Sequence, residues 1–148
     1  MAREIVEGAE SEDGLYFSGT YEAAPGGKYK SLGLGFRVSK ILTKQEGRQL
    51  ILKYLDKMLE KFNRNPEFSQ YIENGKFTFE DLHVSIISYP EDGSEVYYPD
   101  VVTFSFFGGN LWYYTHIPNV HAYYTKEKES YEEVLRLVNQ TSTTKNSH

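Results

Sequence analysis

The chain of 148 residues contains no cysteine. This absence excludes a disulfide scaffold, thiolate-bound zinc, an iron–sulfur cluster and a cysteine nucleophile. It does not indicate the cellular compartment, because many exported bacterial domains also lack cysteine. We expect a soluble protein, and the sequence leaves open whether it is cytoplasmic or exported with its signal removed.

The chain also lacks a basic excess and long apolar runs. It has 16 Lys and Arg against 21 Asp and Glu, which gives a net charge of -5. Nucleic acids and anionic membranes both require a basic surface, so we expect neither as a partner. No apolar run reaches the roughly 18 residues of a membrane-spanning helix. The acidic start MAREIVEGAESEDG has no apolar core of the kind a signal peptide needs.

Aromatic residues are abundant, and tyrosine most of all. There are 13 Tyr and 9 Phe but a single Trp. Tyrosine combines an apolar ring with a polar tip, so it suits surfaces that are both adhesive and hydrated. The length fits one domain over residues 1–148, and we expect the polar ends 1–13 and 141–148 to be flexible.

Two strands are predicted before the first long helix. Leu15–Tyr21 is one, and the alternation of residues 31–39 indicates the second. In that second strand the apolar residues at 32, 34, 36 and 38 share one face. Gly33 and Gly35 on the other face leave a shallow trough, where a helix, a neighbouring chain or a ligand can approach the backbone.

The same strand contains the letters GLGF, at Gly33–Phe36, which resemble the carboxylate-binding loop of PDZ domains. In that family the loop leads through further strands before any long helix, whereas here a long helix follows almost at once. The period-two alternation explains the same residues as an ordinary strand, so we carry over no site residue.

Two capping boxes predict the helices. Thr43 and Glu46 begin a helix that runs to about Asn63 and carries one broad apolar face. Asn65-Pro66 ends it and favours a short second helix. Ser130 and Glu133 form the other box, which begins a helix ending at Gln140.

The remaining segments predict strands. Residues 77–89 form one, strand character resumes over residues 95–98 before Pro99, and residues 101–117 form an aromatic hairpin around Gly108-Gly109-Asn110. Lys126–Glu129 is interpreted as a solvated charge run. The order predicts an α+β fold: a twisted antiparallel sheet of about five strands, with the long helix packed on one face and the C-terminal helix nearby.

The hairpin has more aromatic residues than one face of a sheet can bury. If its turn has two residues, one face carries Val102, Phe104, Phe106, Leu111, Tyr113, Thr115 and Ile117 and should meet the long helix. The other face carries Thr103, Ser105, Phe107, Trp112, Tyr114 and His116, and the preceding strand adds His83, Ser85, Ile87 and Tyr89. A three-residue turn would exchange the hairpin faces.

This second face is the candidate site. We expect a non-enzymatic module that binds a protein, a peptide or a glycan through six residues: His83, Tyr89, Phe107, Trp112, Tyr114 and His116. Cover by the N-terminal strands, the terminal helix or a second subunit is the structural alternative. Burial of this face in a homodimer would make the protein a self-associating structural subunit.

An enzymatic alternative is a small hydrolase or metal-dependent enzyme that uses histidines of the sheet. His83, His116 and His121 form a metal site only if all three converge. Ser85 or Ser105 can pair with a histidine of the same face, but no nucleophile elbow or third group supports this. We therefore assign no catalytic residue, metal or cofactor.

Overall fold

The computed structural model describes residues 2–118 and 123–146. Six strands of this part of the chain form one sheet and lie side by side in sequence order. They are β1 (Tyr16–Ala23), β2 (Ser31–Val38), β3 (Leu82–Ser88), β4 (Thr103–Phe107), β5 (Asn110–His116) and β6 (Tyr123–Ser130). The predicted α+β fold with a long helix and a C-terminal helix is confirmed, with six strands where about five were expected.

One pair of neighbouring strands, β2 and β3, is parallel, and the other pairs are antiparallel. The chain between them forms the long helix α2 (Lys44–Asn63). A helical connection of this length returns the chain to the end of the sheet where β2 began, so β3 runs in the same direction as β2. The predicted capping box is present: the Glu46 amide donates to Thr43 Oγ1 at 3.1 Å, and the Thr43 amide donates to Glu46 Oε1 at 3.0 Å.

The N-terminal segment differs from its prediction. Residues that we expected to be loose form α1 (Arg3–Asp13), which buries Ile5 and Ala9 and ends at Gly14 in a left-handed conformation. Only two apolar side chains reach the core, and so the segment looks polar in the sequence. Ion pairs to α2 fix the rest of the helix, as between Glu12 and Lys53 at 3.0 Å.

The C-terminal helix is longer than predicted. After the short α3 (Pro66–Ser69), which Asn65 caps as expected, the last helix is α4 (Tyr131–Asn146). The Glu133 amide donates to Ser130 Oγ at 3.2 Å, which confirms the predicted start. The helix continues past Gln140, because extending a formed helix adds one hydrogen bond for each residue fixed, even in a polar sequence.

The core lies between the helices and one face of the sheet. It includes Ile5 from α1, Leu55 from α2 and Val134 from α4, and in the sheet Phe36 and Phe104. No helix among the described residues is both long enough and apolar enough to cross a membrane. Helices α1, α2 and α4 thus all contribute to the core on one face, which we call the helix face.

Residues 95–98 do not resume a strand as expected. They belong to a loop between β3 and β4, in which a turn closes with the Asp100 amide donating to the Tyr97 carbonyl at 2.9 Å. The Tyr98 amide donates to the His116 carbonyl at 2.7 Å and fastens the loop to the end of β5. Proline at position 99 has no amide to donate, which favours a turn over a strand here.

Candidate functional site

The hairpin turn decides which side chains face the helices. Gly108 and Gly109 both have positive φ, at 60° and 84°, and Phe107 pairs with Asn110 across them. This is the two-residue turn on which the predicted faces depended. Glycine allows this conformation because it has no Cβ to clash.

The helix face of the hairpin is buried. Phe104, Phe106, Leu111, Tyr113 and Thr115 are all inaccessible or nearly so. Arg48 on α2 reaches across to Tyr113, where its Nε lies 3.1 Å from the hydroxyl oxygen. The predicted burial of these five residues is confirmed, and contact with α2 is seen for Tyr113 and for Phe104, which packs against Gly47. The other two residues predicted for this face, Val102 and Ile117, are half-buried and line a depression at the end of the sheet.

The opposite face of the sheet, which we call the distal face, carries His83, Ser105, Phe107, Trp112 and Tyr114. Pairing places Ser105 beside Trp112, and Thr103 beside Tyr114. Phe107 is 61% exposed, whereas Trp112 and Tyr114 are half-buried. No helix of the described residues lies on this face.

The six predicted site residues divide into two groups. His83, Phe107, Trp112 and Tyr114 lie on the distal face, and the rings of His83 and Phe107 are 5.5 Å apart, edge to face. Tyr89 and His116 lie at the end of the sheet, where both line a depression under the loop that joins β3 to β4. The structure therefore does not unite all six in one site.

The glycine trough is filled by a side chain that the prediction did not include. Tyr21 of β1 stacks on His83 with ring centroids 3.9 Å apart, and its hydroxyl lies 3.0 Å from Ser85 Oγ. A Cβ on Gly35 would lie 3.2 Å from the Tyr21 hydroxyl, and one on Gly33 would lie 2.4 Å from the His83 carbonyl oxygen. The absence of side chains at the two glycines thus leaves room for Tyr21 and His83.

His83 is held in a partly buried, uncharged environment. Burial lowers the pKa of its imidazole. Nε2 lies 3.2 Å from Ser105 Oγ, so the predicted serine–histidine pairing does occur, with Ser105. Ser105 lies in the middle of β4 between two paired strands, where the neighbouring amides take part in the sheet and are not available to stabilise an oxyanion. The contact is suited to positioning the imidazole rather than to hydrolysis.

A metal site shared by the histidines of the sheet is excluded by their spacing. His83 contacts Phe107, whose partner in β5 is Asn110, and His116 lies at the other end of β5. Six residues of strand span about 20 Å, whereas each ligand must approach a metal to about 2 Å. His121 lies outside the described residues, and the described part of the chain contains no cluster of three ligating side chains.

Strand β6 was missed in the sequence, and its side chains divide by charge. Its acidic residues turn to α2: Glu127 pairs with Lys44 at 2.8 Å, and Glu129 pairs with Arg48 at 2.8 Å. Lys128 lies on the distal face, with its Nζ 5.3 Å from the centroid of the Trp112 ring. The predicted solvation holds for Glu127 and Lys128, which are exposed, whereas Glu129 is half-buried, and the alternation of charge is the alternation of a strand.

Burial and hydrogen bonding oppose each other at Glu129. Burial acts to raise the pKa of this carboxyl, but hydrogen bonds from Arg48 and Tyr113 outweigh it and hold the pKa below its usual value. Burial also raises the pKa of the Tyr113 hydroxyl, and its hydrogen bond to Glu129 adds to this. The cluster therefore joins α2 to β5 and β6 as an ion pair with a protonated tyrosine.

Comparison of the chain with models of protein families, with curated proteins and with solved structures gives no match.

Proposed function

We propose that this chain is a binding module whose contact surface for a protein or peptide partner is the distal face of the sheet. The supporting observation is the exposure of Phe107 beside the half-buried Trp112, on the face opposite α2. A fully exposed side chain of this size forgoes about 1.5–3 kcal/mol of burial free energy, which a partner recovers on binding.

The composition of the distal face is typical of contact surfaces. Tryptophan and tyrosine are enriched among residues that dominate binding energy, because each has a large ring and a polar atom at its edge. Trp112 and Tyr114 are two positions apart on one strand and so point the same way. Lys128 beside Trp112 and the exposed Arg37 on β2 give this face a cationic margin. A partner with acidic groups around an apolar centre would complement it.

The centre of the distal face is shallow, which favours a broad partner over an enclosed small ligand. Its middle residues are small: Ser85 and Thr103 are buried, and Ser105 lies between Ser85 and Trp112. Small-molecule sites are usually deep and enclose most of the ligand. A protein surface or an extended peptide makes better use of a flat aromatic patch, and a glycan stacked on Trp112 is the nearest alternative.

Fluorescence of Trp112, the only tryptophan, tests the proposal directly. We expect acrylamide to quench its emission in the free protein. A peptide library and a glycan array, read by the same emission, then report which class of ligand covers the indole. A quencher-resistant, blue-shifted emission in the free protein would show that the chain itself covers this face, and the proposal would fail.

A variant pair identifies the surface that binds. Phe107→Ser should lower the affinity for any ligand found by about tenfold, as expected for a central aromatic contact. Tyr71→Ala removes another exposed aromatic ring, outside the six strands of the sheet, and should leave the affinity unchanged. Equal losses in both variants would argue against the distal face. Light scattering identifies the case in which the partner is a second copy of this chain.

A further inference from the structure

The depression lined by Tyr89 and His116 lies at the end of the sheet, beneath the loop between β3 and β4. It has a volume of about 660 Å³, within the usual range of ligand sites. Its lining includes the aromatic residues Tyr89 and Tyr97, the apolar residue Val96, and the polar residues Ser88 and Glu95. We call it the end pocket.

The loop that forms the end pocket is strongly acidic. Residues 89–102 include Glu91, Asp92, Glu95 and Asp100 but no lysine or arginine. Arg37 lines a separate depression on the other side of Tyr89 and is absent from the lining of this one. The field at the mouth of the end pocket therefore favours a cation.

An independent observation comes from Ser88, one of the residues that line the same pocket. Ser88 is 3% exposed, and its buried Oγ has no hydrogen-bond partner. A buried hydroxyl left without a partner is uncommon, because its desolvation costs about 1–3 kcal/mol. A ligand N–H group that displaces the packing over this hydroxyl would satisfy it.

We propose that the end pocket receives an arginine or lysine side chain of the partner protein that binds the distal face. The Glu95 carboxylate, which also accepts a hydrogen bond from the Tyr97 hydroxyl, supplies the opposite charge, and the rings of Tyr89 and Tyr97 supply cation–π contact. Ser88 Oγ accepts a hydrogen bond when the incoming side chain displaces the packing over it. Arginine fits best, because a guanidinium stacks on rings while its several N–H groups donate. The inference rests on the proposed function.

The test uses nitrogen-15 NMR of the full chain with small probes. N-acetyl-argininamide should give saturable shifts at the amides of Ser88, Gly93 and Glu95. N-acetyl-citrullinamide, its neutral isostere, should leave these amides unmoved. Spermidine distinguishes the source of the cation: if it binds more tightly than the arginine probe, a free polyamine is the ligand and the proposal is wrong.

Charge-matched variants locate the contact. Glu95→Gln should weaken binding of the arginine probe by about fivefold, the upper end for an exposed ion pair. Glu91→Gln removes the same charge from the same loop, outside the pocket lining, and should change the affinity by less than about twofold. Ser88→Ala should weaken binding without lowering the melting temperature, because the lost hydroxyl had no partner.

The two proposals fail separately. If citrullinamide shifts the same amides as argininamide, or if Glu91→Gln weakens binding as much as Glu95→Gln, the end pocket is not a selective cation site. Trp112 emission and the Phe107→Ser variant report on the distal face and do not depend on either result. Suppose that acrylamide does not quench Trp112 emission while the end pocket still binds the arginine probe selectively. The proposal of one partner for both surfaces would then be wrong, and only the cation site would stand.

Discussion

The same type of side chain is buried on one face of β4 and exposed on the other. Phe106 and Phe107 are adjacent in β4, yet Phe106 is fully buried under the helices and Phe107 is 61% exposed. Residue type is identical and backbone pairing continues through both. The difference shows that an aromatic residue in a strand indicates core only when something covers its face, and composition alone does not supply that information.

Charges divide between the faces in the same manner. On the helix side they are paired across elements, as with Arg48 and Glu129 on α2 and β6. On the distal face Lys128 and Arg37 remain exposed beside aromatic or small neighbours. The charges of the helix side are thus satisfied within the chain, whereas these two cations of the distal face lie exposed.

The largest expected contrast comes from the two phenylalanines. Phe106→Ala should lower the free energy of unfolding by about 3–5 kcal/mol, because it leaves a cavity under the helices. Phe107→Ala should change it by less than about 0.5 kcal/mol, as is usual for exposed sites. Urea denaturation measures both. A cost of more than about 2 kcal/mol for Phe107→Ala would mean that the distal face is covered.

The second contrast concerns two helical glycines. A Cβ on Gly47 of α2 would lie 2.2 Å from Phe104 Cε1, whereas one on Gly8 of α1 meets nothing closer than 3.9 Å. Gly47→Ala should therefore destabilise by about 1–3 kcal/mol through overpacking. Gly8→Ala should stabilise by up to about 1 kcal/mol, because alanine favours the helix. Thermal unfolding followed by circular dichroism checks both signs, and stabilisation by Gly47→Ala would contradict the packing.

Local signals in the sequence predicted local structure well. The capping box at Thr43 and Glu46 involves residues three apart, so its geometry is complete within the sequence that encodes it. The faces of the hairpin followed from a two-residue turn whose glycines tolerate positive φ. In both cases the partners are neighbours along the chain.

Features that depend on distant partners were not predictable in this way. Glu129 in β6 pairs with Arg48, 81 residues earlier, and without that partner the alternating charges look solvated. Gly47 looks like a weakness of its helix until Phe104 is seen to occupy the space. The glycine trough was recognised, but nothing local to it identifies Tyr21 as its occupant.

The third prediction tests the paired charges of the helix side. Glu129→Gln should destabilise by about 2 kcal/mol at neutral pH, since it removes a charged partner of Arg48 from a half-buried site. The pKa of Glu129 is lower in the folded chain than in the unfolded chain. Its contribution to the free energy of unfolding is therefore complete above about pH 4.5 and is lost as the pH falls through the folded pKa. The melting curves of variant and wild type should therefore converge in acid.

Its control is the more exposed pair of the same strand. Glu127→Gln removes the partner of Lys44, where both side chains are about half exposed, and should cost less than about 0.5 kcal/mol. If Glu127→Gln and Glu129→Gln cost the same, burial does not distinguish the two pairs and the cluster around Tyr113 contributes little.

The smallest expected effect lies on the distal face, at His83. Burial lowers the pKa of its imidazole, so the unfolded chain takes up a proton at higher pH than the folded chain does. Wild type should lose stability relative to His83→Gln as the pH falls below about 6.5, the range in which a free histidine becomes charged. Tyr21→Leu, which removes the stacked ring, should reduce that divergence by exposing the imidazole. Melting temperatures between pH 5 and pH 8 measure the effect. Parallel curves for wild type and His83→Gln would mean that His83 is as hydrated in the folded chain as in the unfolded chain. Tyr21 would then not cover the glycine trough.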